Sequence, residues 1–283
     1  MSNLFMQWGL SFLQGLILLL VAPLVTGIVL FIMSAGRKDS GKAGNSLLRP
    51  FLLLEGADRG IVGGPVSFRG LRYLLYPVLT LFAGMQLPDL FGGQFAAGDL
   101  FTVAFCLVLA LLLRPLGEAG GMTGPGSGNP DLMGTVLAER LLWGLSLFLA
   151  VLTRAYRASA TMPYDLARHF PGDWLSAALW LGLAGSLALA VHVALCCGSR
   201  LEEERPSAFL LAGDCLQLTV TLLFLAVFFV PLDLSAGIRF LLMVPVTGFL
   251  ARLAGGSARS GIWRGNGLLY FAAVALGVSL FAW

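Results

Sequence analysis

The residues of this chain that could do chemistry are few, and most of them stand inside apolar stretches. Glu139 and Arg140 sit together in the run 132–152, and Asp214, Gln217 and Thr221 share the run 209–231. An ionised side chain at the centre of a membrane helix costs about 2.5–3.5 kcal/mol on the insertion scale, so such groups turn toward protein or water. Glu139 and Arg140 are neighbours in sequence, roughly 100° apart around a helix, and do not form one pair. Each needs a partner on another helix. Glu139 is then either half of an interhelical ion pair or a proton-relay carboxylate. Asp214, Gln217 and Thr221 follow the i, i+3, i+7 spacing that puts all three on one helix face. That face should point into a bundle, either for interhelical hydrogen bonds or toward a hydrated path. Asp131 stands about 12 Å along the axis from Glu139, too far for direct proton transfer. Asp214 or His192 is the candidate bridge. His192, in the run 174–197, could titrate near neutral pH or serve as a bonded core residue.

The familiar catalytic spacings are missing from the sequence. It has two His, His169 and His192, and contains no HExxH, no Gly-x-Ser-x-Gly and no Walker element. The Asp-Gly and Ala-Arg signature of membrane phosphotransferases is missing as well. Cys106, Cys196, Cys197 and Cys215 lie in or beside apolar segments, with neither zinc-site nor disulfide-framework spacing, and read as small core residues. The three glutamates Glu202, Glu203 and Glu204 read as a solvated charge run. Catalysis by this chain alone is not expected, and no metal site is.

The elements that must position these groups are membrane helices. Of the 283 residues 58% are hydrophobic and 12% charged, with a mean hydropathy of +0.87. A soluble domain carries about 25% charge, so lipid must be the solvent for most of these side chains. Apolar runs fall at 9–33, 73–87, 99–113, 132–152, 174–197, 209–231, 240–253 and 267–283. Four reach the roughly 20 residues that a span needs, and the other four need flanking residues to do so. No stretch alternates polar and apolar residues as barrel strands do, so the fold class is all-α: a polytopic integral membrane bundle of about eight helices in a single domain, 1–283. Pro23, Pro77 and Pro245 interrupt spans, and each frees a carbonyl for a polar partner. The N-terminus lacks the basic n-region of a signal peptide, and its apolar run should persist in the mature protein.

Loop charges give an orientation. The first, third, fifth and seventh loops hold 13 Lys and Arg, with Arg114 counted at the start of the third and Arg252 in the seventh. The other loops hold four, Arg239 among them. Positive residues accumulate in the cytoplasm, which puts both termini outside. The first loop, 34–70, is the largest polar element. Its middle, LLRPFLLLEGADRGI at 47–61, is too short and too charged to span and fits an amphipathic segment in the headgroup plane. This loop is either a lipid-anchored linker or a docking surface for a cytoplasmic partner. Arg37, Lys38, Lys42 and Arg49 in it, and Arg200 and Arg205 in the fifth loop, are the docking candidates. The third loop, 115–130, has six Gly and three Pro and should be irregular. The net charge of +3 lies in short loops, not in a stripe that would bind nucleic acid.

In order of features the chain resembles the membrane-anchor subunit (subunit 1, or H) of respiratory complex I and its relatives in energy-converting nickel–iron hydrogenases and formate hydrogenlyase. The opening helix LILLLVAPLVTGIV at 16–29, a basic loop with an amphipathic segment, a Pro-containing second helix and GDLFTVAFCLV at 98–108 follow the family's order. GNPDLMGTVLAERLL at 128–142 sets Asp131 and Glu139 on the two acidic positions of the family's next helix. The resemblance covers nearly the whole chain, although no single motif is specific. It implies an anchor that docks a peripheral electron-transfer arm and helps couple it to proton or sodium movement. The partners would be antiporter-like membrane subunits and iron–sulfur, hydrogenase-like or dehydrogenase-like subunits. The iron–sulfur clusters and any nickel–iron site would belong to those partners, with no cofactor in this chain. Two elements depart from the pattern. The family's Arg-Arg-Gly-Pro element is reduced to GRKDSGKAGN at 36–45, and its long acidic loop to GSRLEEERPS at 198–207. The shortened loop argues against a quinone chamber and thins the proton input path. Two rival readings stand beside the anchor. One is an independent small transporter with its site near Glu139 and Asp214, which the lack of an internal repeat disfavours. The other is a structural scaffold that keeps docking and has lost coupling.

Overall fold

The computed structural model describes residues 2–35, 47, 50–51, 68–87, 100–121, 141, 144, 147–148, 151, 187, 189–195, 197–198, 208–228, 230 and 234–257. Among them five long helices stand out: α1 (Ser2–Ser34), α2 (Phe68–Met85), α3 (Leu100–Gly121), α4 (Ala208–Phe228) and α5 (Ala236–Ser257). No strand occurs among the described residues. Trp8–Ser34, Leu210–Phe228 and Ala236–Ala254 are each long and apolar enough to cross a membrane. The protein is therefore helical and of membrane type. Each helix closes its own backbone hydrogen bonds, which is what lipid demands of a spanning segment. The short run at 240–253 is completed by flanking residues, since α5 extends beyond it at both ends, whereas the apolar stretches described in α2 and α3, Leu74–Met85 and Phe101–Arg114, are shorter.

Helix α4 is the hub and packs against the other four. Of the span Leu210–Phe228, 94% is buried, against 44% and 33% for the spans in α1 and α5, so α4 is the inner helix and those two are outer ones. The outer pair turn large apolar side chains outward: Met6, Phe12, Leu20 and Phe31 on α1, and Ile238, Leu241, Phe249 and Leu253 on α5. In water such a surface would aggregate; in a bilayer it is the solvated one.

Glycines set the closest approaches. A Cβ on Gly213 would meet the Tyr76 ring at 2.5 Å, and one on Gly84 would meet Leu18 at 2.7 Å and Val220 at 3.0 Å. Small residues at helix crossings let backbones approach where lipid supplies no hydrophobic drive for association. The contacts Tyr76–Gly213 and Gly84–Val220 advance together along both chains, so α2 and α4 run parallel. Helix α3 packs against α2, and Tyr76 of α2, Ala110 of α3 and Leu210 of α4 form a buried cluster.

Helix ends are closed by long polar side chains. Gln14 of α1 donates its amide to the carbonyls of Gly84 and Leu87, at 2.9 and 3.0 Å, at the C-terminus of α2. Arg239 of α5 donates to the carbonyls of Val227 and Val230, at 3.5 and 3.2 Å, at the end of α4. Terminal carbonyls have no partner within the helix, and a cation there also meets the negative end of the helix dipole.

Three expectations are corrected. Arg114, taken as the first residue of the third loop, lies inside α3 and is buried. Arg239, also counted as a loop charge, is buried in the first turns of α5, and Arg252 too is helical. The loop 115–130, expected to be irregular throughout, continues α3 as far as Gly121. For Arg114 and Arg239 the charge that marks a helix edge in isolation is answered by a tertiary partner, Asp214 and the end of α4. Of the segment 47–61 only Leu47, Pro50 and Phe51 are described.

Candidate functional site at a buried ion pair

Three helices bring their polar residues together at one level. Asp214 is about 9 Å from the start of α4, Tyr76 about 12 Å from the start of α2, and Arg114 about 10 Å before the end of α3, at 1.5 Å rise per residue. With α2 and α4 parallel, the first two depths nearly coincide, and Arg114 of α3 reaches that level through its contact with Asp214.

Asp214 is the centre and is 1% exposed. Arg114 Nε lies 2.7 Å from Oδ1, with its N–H out of line for a hydrogen bond, so that contact is coulombic. Arg114 Nη2 donates to Oδ2 at 3.1 Å. Tyr76 Oη donates to Oδ1 at 2.8 Å. Both carboxylate oxygens are thus engaged, one by two groups. The main chain at this residue is used as well, since Cys197 Sγ donates to the Asp214 carbonyl at 3.3 Å. A buried charge is tolerated only when paired and hydrogen-bonded, and this carboxylate meets both conditions. Gly213 makes the arrangement possible, because any side chain there would strike the Tyr76 ring.

One turn along α4, Gln217 faces Thr80 of α2. The Thr80 hydroxyl lies 3.0 Å from Gln217 Oε1 and 2.9 Å from the Tyr76 carbonyl. Its single proton serves one of them at a time. One turn further, Thr221 is likewise 1% exposed, on a helix that is buried nearly all round, so all three residues of the i, i+3, i+7 set lie inside the bundle. The arrangement is a neutralised carboxylate with a short polar strip leading from it along the α2–α4 seam. It can hold two helices in register, and it can stabilise polar or protonic species inside the membrane. It offers no nucleophile–base pair. Among the described residues no group of three His, Cys, Asp or Glu could hold a metal.

Of the proton-path candidates, Asp214 and Gln217 belong to this cluster, and His192 is buried in the helical stretch 189–195. Asp131, Glu139 and Arg140 lie outside the described residues. So do the docking candidates Arg37, Lys38, Lys42, Arg49, Arg200 and Arg205. Cys106, Cys197 and Cys215 are buried free thiols. Sequence reasoning missed Arg114, Tyr76 and Thr80. A signal for the arginine was present, since Arg114 directly continues the apolar run 99–113. The neighbouring Pro115 drew it into the loop. Tyr76 and Thr80 carried no signal, because a Tyr and a Thr in an apolar helix are common packing residues. Neither protein-family models nor curated proteins yield a match to this chain.

Proposed function

We propose that this chain is a divergent membrane-anchor subunit of a complex I-like or energy-converting hydrogenase-like assembly, the group that includes formate hydrogenlyase. It has about eight spans in the cytoplasmic membrane, with both termini outside and the loop 34–70 inside. Its basic loops dock a peripheral arm of iron–sulfur and hydrogenase-like or dehydrogenase-like subunits. Its interior carboxylates help couple that arm to proton or sodium movement through antiporter-like neighbours. The observation that carries this reading is the buried Arg114–Asp214–Tyr76 cluster with Gln217 and Thr80 beside it. An intramembrane ionisable group is costly and is kept mainly for function or for specific packing. The feature order of the sequence supports the family assignment. The parallel run of α2 and α4 fits the eight-span topology, which places three spans from 99 to 197 between the starts of the two helices. Removing the helical Arg69, Arg72, Arg114, Arg239 and Arg252 from the loop count leaves nine positive residues against three, the same bias.

The scaffold reading has one observation in its favour: Asp214 has an arginine and a tyrosine on its two oxygens, which is how a structural pair is built. Solubilisation in mild detergent tests the whole. An anchor co-purifies with iron–sulfur proteins, and reversing Arg37, Lys38 and Lys42 to Glu releases them while the bundle stays in the membrane. A chain that comes out alone is a transporter or an isolated bundle, and the anchor reading is then wrong. If the redox subunits co-purify but vesicles with the intact complex pump no ions, the chain is a scaffold.

A further inference from the structure

Threonine inside a helix can turn its hydroxyl back to the carbonyl four residues earlier. Thr80 does so with Tyr76, and Thr219 does so with Cys215, both at 2.9 Å. Thr221 does not: its hydroxyl is buried and has no hydrogen-bond partner among the described residues, although the Gln217 carbonyl is the local one on offer. One turn below it the amide Nε2 of Gln217, itself 1% exposed, has none either. Turning that amide over does not help, because Nε2 would then face Thr80 and Oε1 would be left over. Either way one head-group atom of Gln217 and the hydroxyl of Thr221 remain, at i and i+4 on one face, next to a charge pair.

An unsatisfied buried polar group costs about 1–3 kcal/mol, and two on one face are a persistent cost unless something small binds there. The chemistry selects the occupant. Both side chains are neutral and can donate as well as accept. Asp214 is already neutralised by Arg114, so the strip has no charge left to hold a bare cation or an anion. Gln217 and Thr221 are each 1% exposed on the inner helix, which favours a small species.

We propose that Gln217 and Thr221 form a water site inside the membrane, one to two turns from Asp214, which carries the hydrogen-bonded strip of Tyr76, Thr80 and Asp214 further along α4. The site deepens the coupling reading but does not depend on which assembly the chain belongs to. A transporter or a scaffold could contain the same water.

The test is Thr221→Val, which keeps the shape and removes only the hydroxyl. If water occupies the site, the variant strips it of a partner and lowers the Tm of the purified chain by several degrees. A dry site predicts the opposite, because an unpaired hydroxyl has been deleted, and a raised or unchanged Tm overturns the proposal. A second measurement uses Thr221→Cys and, as control, Leu222→Cys, in a background with the four natural cysteines replaced by alanine. Silver ion reacts with thiols from water. Protection of Thr221→Cys from later thiol labelling at least tenfold faster than Leu222→Cys supports the water site. Equal rates overturn it, whatever the outcome for pumping or subunit docking.

Discussion

Asp214 meets a guanidinium on both carboxylate oxygens and a phenol on one of them, and the two contacts differ in what their loss leaves behind. Removing one partner of a buried pair costs about 3–5 kcal/mol, because the other charge stays buried and unpaired. Asp214→Asn and Arg114→Met should each lower the abundance or Tm of the chain strongly. The double variant removes both charges and should lose clearly less than the sum of the two. A double-mutant cycle on thermal unfolding in detergent reads this directly, and strict additivity would show that the pair at 2.7 Å carries no coupling energy. The same variants separate function from packing. An Asp214→Asn chain of normal abundance in a complex that keeps its redox reaction but loses ion pumping marks the carboxylate as part of the coupling path.

Between helices, the register of α2 on α4 depends on a missing side chain. Gly213 lets the Tyr76 ring lie against the α4 backbone, so that its hydroxyl reaches the next residue, Asp214. Gly213→Ala puts a methyl 2.5 Å from that ring. The helices must then part or the phenol must turn away, and overpacking of this kind costs about 1–3 kcal/mol. The expected result is a Tm several degrees lower. Gly9→Ala is the matched control, because nothing lies within 4 Å of a Cβ built there and alanine is the better helix former. Equal effects of the two substitutions would mean that the close approach at Gly213 has no energetic weight. The end closures made by Gln14 and Arg239 act at the same scale. Each ties an outer helix to the last carbonyls of a neighbour, α1 to α2 and α5 to the inner α4.

For the whole molecule, the bundle is arranged inside out relative to a soluble protein, with its polar contacts around α4 and its bare apolar side chains on α1 and α5. Orientation in the membrane rests on charge, and the loop 34–70 carries the strongest part of the bias. Ser40→Cys should be labelled by a membrane-impermeant thiol reagent only from the cytoplasmic face, and Gly93→Cys only from the outer face. Labelling of Ser40→Cys on intact cells would reverse the orientation, and with it the side from which any peripheral arm could bind.

Composition and periodicity by themselves determined the solvent, the helical class and the inward direction of the Asp214–Gln217–Thr221 face. Those properties depend on local spacing and on the cost of exposing polar groups to lipid, and both can be read along a single chain. Tertiary structure decided who answers Asp214. Its partners come from positions 76 and 114, separated from it by 138 and 100 residues, and no local rule relates them. Arg114 shows the limit most clearly. In the sequence an arginine followed by a proline at the end of an apolar run reads as the edge of the membrane. In the fold the carboxylate across from it offsets the burial of its charge, so the helix continues and the arginine becomes part of the core.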